Sequence, residues 1–147
     1  MAWNFETKPE LPNSQMAAEY FNSPHKQITE DFVAEVIRVH DGDTITVRTN
    51  FRDFDFPIRF AGIDTKELAE GGDEARKWTE NLIGGETIDV LIDANNRVGK
   101  YGRLIGTIVF HGMNINELMV LQGMAVTFEN RDELQSRAFN KAAIPSF

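Results

Sequence analysis

Three short stretches gather side chains able to act on a phosphate ester. "DGDT", residues 41–44, sets Asp41 and Asp43 on either side of a glycine, and "IRFAGIDTKE", residues 58–67, carries Arg59 in an apolar run before releasing Asp64, Thr65 and Glu67. "KYGR", residues 100–103, adds Lys100, Tyr101 and Arg103. Carboxylate oxygens are hard ligands for Ca²⁺ or Mg²⁺, a guanidinium grips phosphate oxygens through paired N–H groups, and one carboxylate can take a proton from water. Each locus alone is weak evidence: Asp-Gly-Asp is usually just a hairpin turn, and an arginine near a loop aspartate is usually a surface ion pair. Their joint presence is the signal.

All three loci sit at the ends of apolar, β-branched segments. "FVAEVIRVH" and "ITVRT" read as two strands joined by the "DGDT" turn, and "PIRFAGI" as a third that tolerates Pro57 at its first position. Alternation along the third strand puts Ile58 and Phe60 on one face and Arg59, Ala61 and Ile63 on the less packed one, with Asp64, Thr65 and Glu67 just beyond its end. "GGDEARKWTENLIGG" then changes period, bringing Ala75, Trp78, Leu82 and Ile83 onto one helical face. "ETIDVLID" and "GRLIGTIVF" supply two more strands, and "NINELMVLQG" and "RDELQSRAFNKAA" two more helices. The expected fold is α+β, mainly β: a five-stranded OB-type barrel with three helices, plus an N-terminal extended arm.

At 147 residues the chain has room for one core. Residues 1–31 form the expected arm, interrupted by Pro9, Pro12 and Pro24, with a short helix in "NSQMAAEYF" capped by Asn13 or Ser14; residues 32–147 form the barrel domain. The arm either packs on its own domain or uses Trp3, Phe5, Tyr20 and Phe21 to dock on a protein partner or a second copy. A net charge of −8 works against indiscriminate binding to nucleic acid, although a metal held among carboxylates reverses the local sign of a site. The absence of cysteine excludes disulfide and thiolate chemistry. No apolar run is long enough to span a membrane, and the first residues do not read as a secretion signal, which fits a cytoplasmic or virion-associated protein. His25, His40 and His111 lack zinc-site spacing, and Met113, Met119 and Met124 suit helix packing.

Taken in order, "VIRVHDGDTITV", "IRFAGIDTKE", "KYGRLIG" and "NINELMVLQGMA" resemble the staphylococcal (micrococcal) nuclease, or thermonuclease-like, family from about Phe32 to about Ala142. The resemblance implies calcium-dependent hydrolysis of DNA or RNA to 3′-phosphate ends. It implies Asp43 and Asp64 as carboxylate ligands of Ca²⁺, with the main-chain carbonyl of Thr65 as a third. Glu67 is then the general base, Arg59 and Arg103 bind the phosphate and stabilise its transition-state charge, and Lys100 and Tyr101 match substrate-binding positions. The chain departs from the family at Lys66, where proline is usual, at Gly99, where aspartate is common, and in the short acidic loop "LAEGGDEA". It also lacks clear counterparts of the tyrosines that stack on nucleotide. These departures, with the arm, define the alternative: a structural or assembly component, for example of a phage virion, on a nuclease-like fold.

Overall fold

The alternating segments from Phe32 onward close into a barrel. The computed structural model describes residues 3–65, 72–99 and 102–127. In chain order the elements are helix α1 (Asn13–Glu19), a 3₁₀ turn (Tyr20–Asn22), strands β1 (Phe32–Asp41), β2 (Thr44–Arg48), β3 (Phe56–Phe60) and β4 (Ile63–Thr65), helix α2 (Gly72–Ile83), strands β5 (Thr87–Leu91), β6 (Leu104–Phe110) and β7 (Met113–Asn114), helix α3 (Ile115–Leu121) and strand β8 (Ala125–Thr127). The helix expected in "RDELQSRAFNKAA" lies outside the described residues.

Strand order β3-β2-β1-β5-β6 is antiparallel throughout, and β6 returns to β3 in parallel, pairing Leu104 with Ile58 and Ile105 with Arg59. Closure removes the free edges that an open sheet of this size would expose. β1 serves both sides by bending: its first residues pair with β5, its later ones with β2, and register shifts after Val36 and after Val39 mark the bends. Ile45, Val47, Phe56, Ile58 and Ile108 fill the interior. Gly106 has no room for a side chain, since a Cβ there would lie 2.6 Å from Cγ1 of Val90.

The third strand is shorter than expected. β3 ends at Phe60, the chain turns through Gly62 at φ 71°, and Ile63–Thr65 pairs instead with β8 in a second, two-stranded sheet. That turn resets the alternation, so Ile63 is buried rather than sharing the open face with Arg59. Asn116 of α3 pins the turn, accepting from the Ile108 N–H at 3.0 Å and donating Nδ2 to the Ala61 carbonyl at 2.9 Å. Both ends of this side-chain amide are thereby satisfied in a buried position.

The arm packs on its own barrel. The carboxylate of Glu10 is ion-paired with Arg52 and, at 2.9 Å, with Arg97, and accepts from the Ile28 N–H at 2.9 Å. Gln27 accepts from the Leu11 N–H and donates to the Pro9 carbonyl at 2.9 Å. The Arg52 guanidinium carbon lies 5.2 Å and 4.7 Å from the ring centroids of Phe54 and Phe56, and its buried Nε and Nη1, which have no hydrogen-bond acceptor, belong to this cation–π contact. α1 forms where expected, but Pro12 stands at its N-cap. Asn13 is spent elsewhere, donating to the Ala94 carbonyl at 2.8 Å and accepting from Arg97 at 3.3 Å. Among the described residues no helix is long and apolar enough to cross a membrane.

Candidate active site

The Asp-Gly-Asp turn is held in place by α2. Thr79 donates its hydroxyl to the Gly42 carbonyl at 2.9 Å, and Gly42 approaches so closely that a Cβ would stand 2.7 Å from Cβ of Ala75 and 2.8 Å from Cγ2 of Thr65. This close approach requires glycine. It brings the end of the β1–β2 hairpin against β4, and so sets Asp43 beside Thr65.

Asp43 is the hub. Its Oδ2 accepts from the Thr65 N–H and the Thr65 hydroxyl, both at 3.0 Å, and lies 3.2 Å from Nη1 of Arg59. Arg59 reaches it from β3, directly across the ladder, since Arg59 pairs with Thr44. The other arm of the same guanidinium donates to Oδ1 of Asp64 at 3.2 Å, while Nη1 also donates to the Phe60 carbonyl at 3.1 Å. One planar cation thus spans two carboxylates, one from the β1–β2 turn and one from β4. Asp43 is 8% exposed at its side chain, Arg59 17% and Asp64 34%, so the cluster opens towards solvent on the Asp64 side.

The charge balance is asymmetric. Burial and a shared proton with Asp43 push the Asp41 carboxyl up to about 6. Burial alone would also raise Asp43, but the hydrogen bonds from Asp41 and from the Thr65 amide, together with the Arg59 charge, hold it below the usual carboxylate range. Two carboxylates this close cannot both ionise cheaply beside a single guanidinium. A further cation would relieve them, and the oxygen donors are of the hard kind that Ca²⁺ takes. Among the described residues no group of three or more His, Cys, Asp or Glu side chains stands ready to hold a metal.

The structure therefore brings together Asp43, Arg59, Asp64 and Thr65. Arg103 stands immediately before β6, whose next residues pair with β3 beside Arg59. Glu67, Lys66, Lys100 and Tyr101 lie outside the described residues. Two participants carried no assigned role in the sequence reading: the Thr65 hydroxyl, expected only through its carbonyl, and Asp41, whose signal was its place in the same "DGDT" turn.

Comparison with known proteins matches residues 57–143 to the family described as Staphylococcal nuclease homologue. An "Uncharacterized endonuclease" of Escherichia coli O157:H7 is 34% identical over 101 residues, which cover 67% of this chain and 63% of that protein. A "Micrococcal nuclease" of Shigella flexneri is 34% identical over 105 residues, 65% of this chain and 58% of its own length. "Endonuclease YncB" of Bacillus subtilis (strain 168) is 27% identical over 111 residues, 70% of this chain and 52% of its own. The chain spans between about half and two-thirds of the length of these curated relatives.

Proposed function

Because the chain belongs to the staphylococcal nuclease homologue family, we propose that it is a nuclease that hydrolyses phosphodiester bonds of DNA or RNA in a calcium-dependent reaction. The observation that carries this reading is the Arg59 guanidinium spanning Asp43 and Asp64 at 3.2 Å each, at the open rim of the barrel. The names of the relatives support the same reaction class.

In this reading Asp43, Asp64 and the Thr65 carbonyl hold Ca²⁺, which when bound supplies positive charge to the phosphate and acidifies water. Arg59, already fixed by Asp43 and the Phe60 carbonyl, binds the scissile phosphate through its N–H fork. Arg103 meets the same phosphate from the start of β6. Arg59 is held in place before charge accumulates on the phosphate oxygens, so it needs little reorganisation as it does. Glu67 takes a proton from the attacking water, the bond from phosphorus to the 5′-oxygen breaks, and that oxygen takes a proton from solvent, so a 3′-phosphate end and a 5′-hydroxyl result. Lys100 and Tyr101 contact the substrate alongside.

The assembly reading has less to stand on, because the arm that motivated it is occupied by its own barrel. The deciding assay incubates the chain with denatured DNA and with RNA in calcium, with and without chelator. Chelator-sensitive fragments ending in 3′-phosphate are expected, and intact substrate at micromolar protein overturns the proposal.

A further inference from the structure

Residues 97–99 and 102–105 lie against each other just before and into β6. The Arg97 carbonyl accepts from the Ile105 N–H at 2.7 Å, the Gly99 N–H donates to the Arg103 carbonyl at 2.8 Å, and the Gly102 N–H donates to the Gly99 carbonyl at 3.1 Å. Val98 bridges Leu104 antiparallel between them. One leg of this unit, 97–99, therefore carries the other, 103–105, and with it the backbone of Arg103. The second leg runs on into the parallel closure of the barrel, where Ile105 stands opposite Arg59.

The side chain that anchors the first leg is Arg97, 2% exposed, and its partners come from the arm. Nε donates to the Ile28 carbonyl at 2.7 Å, Nη1 to the Leu11 carbonyl at 2.9 Å and to Oδ1 of Asn13 at 3.3 Å, and Nη2 to the Glu10 carboxylate at 2.9 Å. All four acceptors lie between residues 10 and 28. The arm also touches the far end of the unit: a Cβ on Gly102 would lie 3.0 Å from Cβ and Cγ of Lys8, and Gly102 has φ +75°. The arm thus binds the 97–99 leg through Arg97 and lies close to Gly102 on the other, although it lies outside the matched family region.

We infer that Glu10 and Arg97 are positioning residues, through which the N-terminal arm holds the 97–99 leg, and with it the paired 103–105 leg, so that Arg103 is presented to the phosphate. The role of Arg103 rests on the nuclease reading; the holding of the loop by the arm rests on these contacts alone. A buried ion pair that merely stabilised the barrel would loosen all of it when broken. A positioning pair loosens this unit first and acts on the reaction only through Arg103.

The test uses the whole chain with Glu10→Gln, which keeps the shape of the side chain and removes its charge. Amide hydrogen exchange is expected to quicken at Gly99, Gly102 and Ile105 at least tenfold more than at the amides of the β1–β2 hairpin. In the cleavage assay kcat is expected to fall at least tenfold, and that loss is expected to vanish when the same change is made on an Arg103→Ala background. Uniformly faster exchange, or losses that multiply in the double variant, overturns the inference. If Glu10→Gln does not fold, Asn13→Ala removes one Arg97 acceptor without orphaning a charge. It should give a smaller, similarly confined change of about threefold in exchange, and an unchanged rate at these amides overturns the inference. A wild-type chain that cleaves nothing removes the nuclease reading, and the exchange rates still decide whether the arm holds the paired 97–99 and 103–105 legs.

Discussion

Arginine meets carboxylate in two clusters of this molecule, and they are built as opposites. At the rim one cation, Arg59, lies between two anions, Asp43 and Asp64, with Asp41 close behind; under the arm one anion, Glu10, lies between two cations, Arg52 and Arg97. The inner side chains are 1–2% exposed, whereas Asp64 at the rim is 34% exposed. Water cannot replace a lost partner in the inner cluster, so its contacts are permanent for as long as the arm is seated. At the rim it can on the Asp64 side, where the cluster opens to solvent. The sign of the excess differs too. Burial lowers the Arg97 pKa against the pull of Glu10, while at the rim it raises that of Asp41, so the inner cluster repels a further cation and the rim invites one.

The largest effects should fall on opposite properties of the two clusters. Glu10→Ala leaves two buried guanidiniums without their anion and is expected to cost about 3–5 kcal/mol of stability, read from urea unfolding. Arg59→Ala is expected to lower kcat by about 10²–10³-fold while moving the urea midpoint little. If the two variants exchanged these outcomes, the contrast between a sealed and a working cluster would be broken. Gly42→Ala drives a methyl group into Ala75 and Thr65 and is expected to cost about 1–3 kcal/mol, with reduced cleavage because Thr65 must shift from Asp43.

The smallest effect concerns pH. The folded pKa of Asp41, about 6, lies above its ordinary 3.8, so its share of stability is complete below the ordinary value and is lost as pH rises through about 6. Asp43 runs the other way: its depressed pKa adds stability above the ordinary value that is lost as pH falls through the folded one. Without divalent cation, Tm of Asp41→Asn should therefore decline less than that of the wild type between about pH 4 and about pH 7. Equal declines would show that the rim carries no excess negative charge.

How much of this was legible depended on sequence distance. The hairpin around "DGDT" and the strands at 87–91 and 104–110 were readable because alternation is local, whereas Asp43 and Asp64 stand in separate motifs and meet at Arg59 only through the fold. Ile63 was misplaced because a left-handed turn at Gly62 resets the alternation, and an apolar run does not announce such a turn. The inner cluster was not legible at all. Glu10, Arg52 and Arg97 belong to separate segments and share no motif or period, so only the closed barrel makes them neighbours. Asn13 was misjudged for a similar reason: capping is a local preference, and its bonds to Ala94 and Arg97 are not local.

The parallel closure of β6 on β3 has a consequence for the order of events during synthesis. Arg59 and Ile105 become neighbours only when β6 exists, and pairings between such distant segments form late in folding. A chain still leaving the ribosome with β1, β2 and β3 made has its carboxylates and first arginine but no barrel and no Arg103 strand to complete them. On the nuclease reading, the two arginines therefore reach one site only once β6 has closed on β3.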